Sequence, residues 1–338
     1  MFERIGKIIE GNKVFFLTSH LNPDGDAVGS LLAMHAFLEE NGRTVFSYME
    51  NPIPGNLRFL PFADAVYGSL EDIMNRTFDV SIILDSTDWE RTGLPFEGNS
   101  ELRKKLGLIV NIDHHRSNKN FGAVNLVDAS ASSVGELIYD VITAMGKRVS
   151  LDVAKCVYTA IMSDTGCFTY SNTNDRSFHI SEKLVKIGIR PDEIAEEVNE
   201  NYPVSRLELL RMALENIEFT NDHAVGALTV SQEMFKKTNT TPDIIEGFID
   251  YPRYVAGVKV AVLFRELPEG GYKVSFRSRD HVDVAKVAKH FGGGGHLNAS
   301  GCTISGELHD VKQKVFDTIK HYISGEVIFD ERRSSHYR

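Results

Sequence analysis

The chain has 338 residues, of which 42% are hydrophobic and 25% charged, as in a soluble globular protein with room for two domains. Its net charge of −10 argues against a long nucleic-acid duplex as ligand, because contacting many phosphates requires a basic surface. A short anion held by a metal and a few basic residues stays compatible with this charge.

Neither the apolar runs nor the cysteines indicate a membrane or secreted protein. The longest apolar runs are well short of a membrane span, and none is flanked like a secretory signal. Cys156, Cys167 and Cys302 show no paired or metal-like spacing. They indicate reduced thiols, so we expect a cytoplasmic protein without a membrane partner.

The first predicted strand, residues 13–19, is followed by the segment HLNPDGD and a helical pattern over 27–40. Doubly wound sheets place their ligands at such strand–loop–helix junctions. Asp24 and Asp26 can face one point if the loop is extended. A polar turn with Asp26 capping the helix is the alternative. His20, close to both carboxylates, favours a metal site.

Two further strands are predicted at 44–49 and 79–84, and the second of them ends at Asp85. Asp85 as a simple turn residue is the alternative to a ligand. It occupies the same topological place as His20, which favours a shared site. We expect Asp88, in the following loop, to cap or to form a salt bridge.

The fourth predicted strand, 106–113, leads into the segment NIDHH. Packing alone does not explain two adjacent imidazoles beside a carboxylate. Because neighbouring side chains of a strand point to opposite faces, we expect His114 and His115 to face different partners. One of these partners would be a metal and the other a substrate phosphate.

A short strand over 124–127 precedes two predicted helices, 134–145 and 152–163. Ser133 and Glu136 have the spacing of a capping box at the start of the first helix. The second helix is largely apolar and ends at Asp164. A carboxylate at a helix C-terminus is opposed by the helix dipole, which favours a cation nearby.

Six candidate ligands are thus distributed over strand and helix ends: His20, Asp24, Asp26, Asp85, His114 and Asp164. Carboxylates with a minority of imidazoles suit Mn²⁺ or Mg²⁺ better than a thiolate-rich centre. Six ligands are too many for one ion that also holds water and substrate, and suit two ions that share a carboxylate. Two ions roughly 4 Å apart activate a water and stabilise both oxygens of a phosphoryl transfer.

The segments HLNPDGD, LDSTD, NIDHH and MSDTG, in this order, resemble the four motifs of the DHH phosphoesterases over roughly residues 1–188. The resemblance implies that Asp85 bridges two Mn²⁺ ions and is catalytic, and that His115 faces the substrate phosphate. It implies that Asp113 orients an imidazole. The implied ligands are His20, Asp24 and Asp85 for one ion, and Asp26, Asp85, His114 and Asp164 for the other.

The second half begins with a charged, helical connector, 189–215, followed by a domain over 216–338. Strands are predicted at 224–230, 255–264 and 272–277, and helices at 233–237 and 284–290. The Gly270-Gly271 pair predicts a hairpin turn.

Two segments of this domain suit phosphate binding. Arg277, Ser278 and Arg279 at a strand end offer guanidinium forks, with a solvated strand end as the alternative. The segment GGGGHLNASG has four glycines with no expected packing use, so it exposes backbone amides to an anion unless it is a flexible linker. The candidate anion contacts in it are Gly293, Gly294, Gly295 and His296.

The segments FRSR and GGGGHLNASG resemble the DHHA1 substrate-binding domain, and both halves together resemble the bacterial nano-RNase and pAp phosphatase branch. This resemblance implies an α/β fold. A parallel-sheet domain with helices on both faces would be joined to a smaller α/β domain with a mixed sheet, with the active site in the interdomain cleft. The implied substrates are very short oligoribonucleotides and 3′-phosphoadenosine 5′-phosphate (pAp).

Alternative functions stay open at this point. A phosphohydrolase of polyphosphate or pyrophosphate would use the same metals, as would a cyclic or linear dinucleotide phosphodiesterase. A nucleotide sensor without turnover is a third class, against which the complete ligand set argues. Mn²⁺ is the expected metal, with Mg²⁺ or Co²⁺ as alternatives, and a homodimer stays open.

Overall fold

A computed structural model describes residues 1–96, 99–279, 282–295 and 297–324 of the chain. The chain divides into two compact units, Met1–Asn201 and Tyr202–Arg338. The boundary between the units falls within the predicted connector, so residues 189–201 belong to the first unit and residues 202–215 to the second. Within the described ranges, none of the helices has the length and apolar character that crossing a bilayer requires.

A parallel sheet of six strands forms the centre of the first unit. Its spatial order is β3-β2-β1-β4-β5-β6, so the strand order reverses between β1 and β4. Such a reversal opens a crevice at the carboxyl ends of the strands, where open α/β sheets bind ligands. The strands are β1 (Val14–Thr18), β2 (Thr44–Tyr48), β3 (Val66–Tyr67), β4 (Val80–Leu84), β5 (Leu108–Asp113) and β6 (Val124–Val127).

Helices cover both faces of this sheet, as predicted. Side chains of β1 alternate between the two faces, so Phe15 and Leu17 enter one hydrophobic cluster and Phe16 another. The helices are α1 (Phe2–Gly11), α2 (Gly25–Glu40), α3 (Glu71–Met74), α4 (Ser100–Lys105), α5 (Val134–Ala144), α6 (Leu151–Asp164), α7 (Asp175–Ile187) and α8 (Pro191–Ala195). The larger cluster includes α1, α2, α5 and α6, and the smaller one includes Ile73 of α3 and Leu102 of α4.

Helix α2 is buried from Gly25 to Leu38 and packs closely on α6. A Cβ at Gly25 would lie 2.0 Å from Ser163 Oγ, and one at Gly29 would lie 2.6 Å from the carbonyl oxygen of Cys156. Both glycines are therefore required by the close approach of the two helices. This packing brings the start of α2 against the end of α6.

The second unit contains a mixed sheet, which confirms the predicted fold class. Its order is β11-β12-β10-β9-β8-β7; β8 and β9 are parallel and the other pairs are antiparallel. The predicted hairpin joins β9 to β10, with Gly270 and Gly271 at φ +95° and +78°. The strands are β7 (Glu218–Phe219), β8 (Val225–Val230), β9 (Val260–Glu266), β10 (Tyr272–Ser278), β11 (Gly294–Gly295) and β12 (Ala299–Ile304).

Two helical layers pack on this second sheet. Val284 and Val311 belong to the cluster on one face, and Leu209, Phe235 and Ile249 to the cluster on the other. The helices are α9 (Val204–Leu214), α10 (Gln232–Thr238), α11 (Asp250–Tyr254), α12 (Val284–His290) and α13 (Leu308–Ser324). The strand predicted over 255–264 begins only at 260, because α11 and a turn at Gly257, with φ +87°, occupy the preceding residues.

Candidate active site

Three polar side chains gather at the carboxyl ends of β1, β4 and β5. His20 follows β1, Asp85 follows β4 and His114 follows β5. The Nε2 atom of His20 lies 3.4 Å from Asp85 Oδ2, and that of His114 lies 3.8 Å from Asp85 Oδ1. Asp85 is therefore placed between the two imidazoles, at the point where the strand order reverses.

The start of α2 brings two further carboxylates to the same place. Asp24 is the N-cap of α2, and its Oδ1 accepts hydrogen bonds from the backbone amides of Asp26 and Ala27. The alternative interpretation had made Asp26 the cap. Asp26 instead lies in the first turn of the helix, where its buried Oδ2 is 3.7 Å from His114 Nε2. Asp24 is the more exposed of the two, with 55% of its side chain accessible.

The end of α6 completes the cluster, because Asp164 Oδ2 lies 3.6 Å from His114 Nε2. Donor atoms lie within 4.8 Å of one another in three groups, namely His20–Asp24–Asp85, Asp26–His114–Asp164 and Asp85–His114–His115. All six candidate ligands from the sequence are thus brought together. Asp85 and His114 each belong to two groups, so the groups are adjacent.

Backbone carbonyls fix the orientation of two of the imidazoles. His20 Nδ1 donates a hydrogen bond of 2.8 Å to the carbonyl of Leu21, and His114 Nδ1 donates one of 3.1 Å to the carbonyl of Ala131. In each ring the Nδ1 proton is thereby assigned, and Nε2 is left facing the carboxylates. This is the arrangement of histidines that bind metals through Nε2.

The rings of His114 and His115 lie close together, and the expectation that they face different partners stays a prediction. Strand β5 ends at Asp113, so the alternation of side chains does not extend to the two histidines. Their ring centroids are 4.8 Å apart, and His115 Nδ1 lies 3.3 Å from Asp85 Oδ1. Both imidazoles therefore approach the same carboxylate.

Asp113 anchors this turn from a fully buried position. Its Oδ1 accepts hydrogen bonds from His115 Nδ1 at 2.7 Å and from the backbone amide of His114 at 2.8 Å. Its Oδ2 accepts a hydrogen bond from the side-chain amide of Asn118. The carboxylate thus holds the His115 ring in one orientation.

The cluster holds more carboxylates than its histidines neutralise. Burial alone would raise the pKa of Asp85, but the hydrogen bond with His20 and the charges of the nearby imidazoles keep it well below its usual range. Burial raises the pKa of Asp164 to about 7, and the charges of Asp24 and Asp85 add to this effect. Burial lowers the pKa of His114, whereas the surrounding carboxylates raise it to about 9.

The residues present fit divalent cations. Asp85 Oδ1 is buried and accepts no hydrogen bond within the part of the chain that the structure describes. An unsatisfied buried carboxylate oxygen is costly, and a cation satisfies it. Asp85 also has φ +52°, in the left-handed region that few residues other than glycine adopt. Hard oxygen donors with a minority of imidazoles make the cluster a potential divalent-metal site.

The predicted substrate residues of the second unit lie at the end of β10. Arg277 is half-buried, and its Nη1 donates to the carbonyl of Phe276 at 3.1 Å. Ser278 is buried and its hydroxyl donates to the carbonyl of Val282 at 2.7 Å, so this hydroxyl fixes its own loop. The backbone amide of Arg279 donates a hydrogen bond to the carbonyl of Lys259 on the neighbouring strand end.

The expectation that the glycine run has no packing use was wrong. A Cβ at Gly293 would lie 2.2 Å from the carbonyl oxygen of Gly301, and one at Gly295 would lie 2.5 Å from that of Ala299. Both residues are therefore glycine because β12 passes close by. Gly292 and Gly294 have open space in place of a side chain, and Gly292 has φ +76°, in the left-handed region that favours glycine. His296 lies outside the described residues.

Both halves of the chain match known domains. Residues 14–161 match the DHH family, N-terminal domain, and residues 225–325 match the DHHA1 domain. The chain belongs to the DHH family. The family inferred from the four sequence motifs is thereby confirmed, and this DHH chain is a phosphoesterase.

Relatives of this DHH chain extend over nearly its whole length. It is 30% identical to the bifunctional oligoribonuclease and PAP phosphatase NrnA of Thermus thermophilus, over 94% of this chain and 92% of that protein. The protein of the same name from Bacillus subtilis is 26% identical, over 85% and 88% of the two chains. A crystal structure of an exopolyphosphatase-related protein from Bacteroides fragilis matches 96% of each chain, with 29% identity and a TM-score of 0.88.

Some residues of the DHH cluster were missed by the sequence motifs. The backbone amide of Val134, at the start of α5, donates to Asp26 Oδ2 at 2.7 Å. The side-chain amide of Asn172 donates to Asp164 Oδ2 at 3.0 Å. The capping-box spacing located the start of α5, but nothing local indicated that it approaches Asp26. No pattern around Asn172 distinguishes it from a loop asparagine.

Proposed function

We propose that this DHH phosphoesterase hydrolyses very short oligoribonucleotides and pAp with the help of two Mn²⁺ ions. The substrates are those in the names of the relatives from Thermus thermophilus and Bacillus subtilis. One observation carries the proposal: the buried carboxylate of Asp85 lies within 3.8 Å of both His20 Nε2 and His114 Nε2, and one of its oxygens has no hydrogen-bond partner among the described residues. A shared carboxylate between two ligand groups is what a two-metal site requires.

In this proposal, Asp85 is common to both metal positions. One position is held by His20, Asp24 and Asp85, which form one of the observed groups. The other is held by Asp26, His114 and Asp164, which form another, together with Asp85. Mn²⁺ is preferred, with Mg²⁺ or Co²⁺ as alternatives, because the donors are mostly hard oxygens. When bound, two such ions supply an activated water and stabilise the attacking and leaving oxygens.

His115 contributes to catalysis by contacting the phosphoryl oxygens of the substrate. Its Nδ1 donates to Asp113, so the carboxylate holds the ring in one orientation. An imidazole N–H that points at a phosphoryl oxygen would stabilise the negative charge that develops there.

Arg277 and Arg279 bind the nucleotide part of the substrate in this proposal. Neither guanidinium has a carboxylate partner among the residues that the structure describes, so both can pair with a phosphate. Such local basic groups matter because the chain as a whole has a net charge of −10. Ser278 contributes by holding the end of β10, and Gly293, Gly294, Gly295 and His296 stay proposed contacts to the anion.

A length series of 5′-labelled RNA with Mn²⁺ tests the substrate class. We expect rapid hydrolysis of dinucleotides and a steep decline with increasing strand length. The Asp85→Asn variant, which removes the shared charge, should abolish release of mononucleotide. Equal rates on dinucleotides and long strands would contradict the proposal.

A second candidate is a phosphohydrolase acting on polyphosphate or pyrophosphate. The structural similarity to the exopolyphosphatase-related protein from Bacteroides fragilis favours it. A panel of dinucleotide, pAp, cyclic dinucleotide, polyphosphate and pyrophosphate, with Mn²⁺ and with Mg²⁺, separates the candidates. Preference for polyphosphate, without competition by adenosine nucleotides, would replace the first proposal by the second.

A further inference from the structure

A fully buried carboxylate lies outside the four DHH motifs. Glu136, in the first turn of α5, accepts a hydrogen bond from the hydroxyl of Ser132, and its Oε2 lies 3.4 Å from Arg176 Nε. Arg176, in the first turn of α7, also pairs with Asp140. The pair joins a buried carboxylate to a partly exposed guanidinium, and such a pair contributes little net stability, so its consequence lies in the geometry that it fixes.

Ser132 belongs to residues 131–135, which we call the supporting segment. The backbone of this segment contacts two ligands of the Asp26–His114–Asp164 group directly. The carbonyl of Ala131 accepts a hydrogen bond from His114 Nδ1 at 3.1 Å, and the amide of Val134 donates to Asp26 Oδ2 at 2.7 Å. The segment therefore orients both an imidazole and a carboxylate.

The third ligand of the group is tied to the same segment by one side chain. The amide nitrogen of Asn172 donates to the carbonyl of Ser132 at 3.0 Å and to Asp164 Oδ2 at 3.0 Å. A displacement of Ser132 would therefore move the partner of Asp164. Every member of this ligand group thus depends on the position of the supporting segment.

The other metal position lacks such a support. Within the described part of the chain, no hydrogen bond joins the supporting segment to His20, Asp24 or Asp85. His20 is instead oriented by the carbonyl of Leu21. A change that displaces the segment should therefore affect the two metal positions unequally.

We propose that Glu136 and Arg176 are positioning residues for the Asp26–His114–Asp164 metal position. They hold Ser132, and through it the supporting segment, without touching a metal ion or the substrate. This inference rests on the proposed two-metal function. Residues that only orient metal ligands typically change metal affinity about 10–100-fold, which sets the expected effect.

Mn²⁺ titration of the full chain, followed by electron paramagnetic resonance of the free ion, tests this inference without an activity assay. Glu136→Gln keeps the shape and an acceptor for Ser132 but removes the charge that pairs with Arg176. We expect it to bind one Mn²⁺ as the wild type does and the other about 10–100-fold more weakly. The matched control Asp140→Asn removes the other partner of Arg176 and should leave both affinities unchanged.

Two ligand variants assign the weakened position. In an Asp164→Asn background, adding Glu136→Gln should cause no further loss of Mn²⁺ affinity. In an Asp24→Asn background, it should still weaken the remaining ion, because coupled residues are not additive. Ser132→Ala, which removes only a hydroxyl, decides the question if Glu136→Gln does not fold, as judged by circular dichroism.

Unchanged binding of both ions in Glu136→Gln and Ser132→Ala would overturn this inference and leave the proposed function intact. Equal weakening at both positions would overturn it too, because it would indicate a general loss of packing. A wild-type protein that binds fewer than two Mn²⁺ ions would overturn the inference together with the two-metal function.

Discussion

Replacing Gly25 with alanine is expected to reduce phosphate release about 100-fold by separating the start of α2 from the end of α6. The added Cβ would lie 2.0 Å from Ser163 Oγ and 2.4 Å from Ser163 Cβ. Non-bonded carbon atoms approach to about 3.5 Å, so the helices must separate by about 1 Å. Gly25 lies between Asp24 and Asp26, and a displacement of about 1 Å at a reactive site costs about two orders of magnitude.

The same substitution should leave the protein folded. Alanine gains up to about 1 kcal/mol over glycine in a helix, whereas overpacking costs roughly 1–3 kcal/mol. The free energy of unfolding should therefore fall by at most about 3 kcal/mol. Thermal unfolding measures this loss, and phosphate release from pAp with Mn²⁺ measures activity.

A second substitution makes the argument refutable. Ser163→Gly removes both atoms that the new Cβ would meet, and alone it should cost up to about 1 kcal/mol of stability with activity retained. Combined with Gly25→Ala, it should restore activity to within about tenfold of the wild type. Wild-type activity in Gly25→Ala alone, or a folded double variant without recovery, would refute the reasoning.

Three further results are expected. Asp113→Ala releases the His115 ring and should lower kcat about 10–100-fold; an unchanged kcat would contradict this role. Arg277→Ala should raise KM for dinucleotides about 10–100-fold, because a charged hydrogen bond to the substrate is lost. The control Arg253→Ala removes an arginine that pairs within α11 and should leave KM unchanged. The pKa of His114 is raised to about 9, and this imidazole must lose a proton to bind a metal. Mn²⁺ affinity, measured by titration calorimetry, should therefore rise with pH up to about pH 9. An affinity that does not depend on pH would contradict this prediction.

Much of the fold could be predicted because its signals are local. The apolar runs at β1, β4 and β5 are strands in which most residues are buried, and α12 has the predicted bounds Val284–His290. The two-residue strands β3, β7 and β11 could not be predicted, because their pairing depends on neighbours distant in sequence. The spacing of Val311, Val315 and Ile319 is typical of the observed α13, although we made no prediction there.

The chemistry of the candidate site was more predictable than its supports. Residue type and position at a strand or helix end were enough to find all six candidate ligands. The direction of His115 depends on where β5 ends, which a periodic pattern locates only to within a few residues. The role of Gly293 depends on its contact with β12, and that of Asn172 on two distant acceptors. Such long-range contacts leave no mark on the local sequence.

The left-handed backbone of Asp85 determines which inactive form of the enzyme is suitable for capturing bound substrate. Asparagine tolerates a φ of +52°, whereas alanine at this position would add about 1–2 kcal/mol of backbone strain. Asp85→Asn therefore combines an undistorted turn with a missing charge. Crystals of that variant soaked with a dinucleotide offer a direct image of the substrate before the bond is cut.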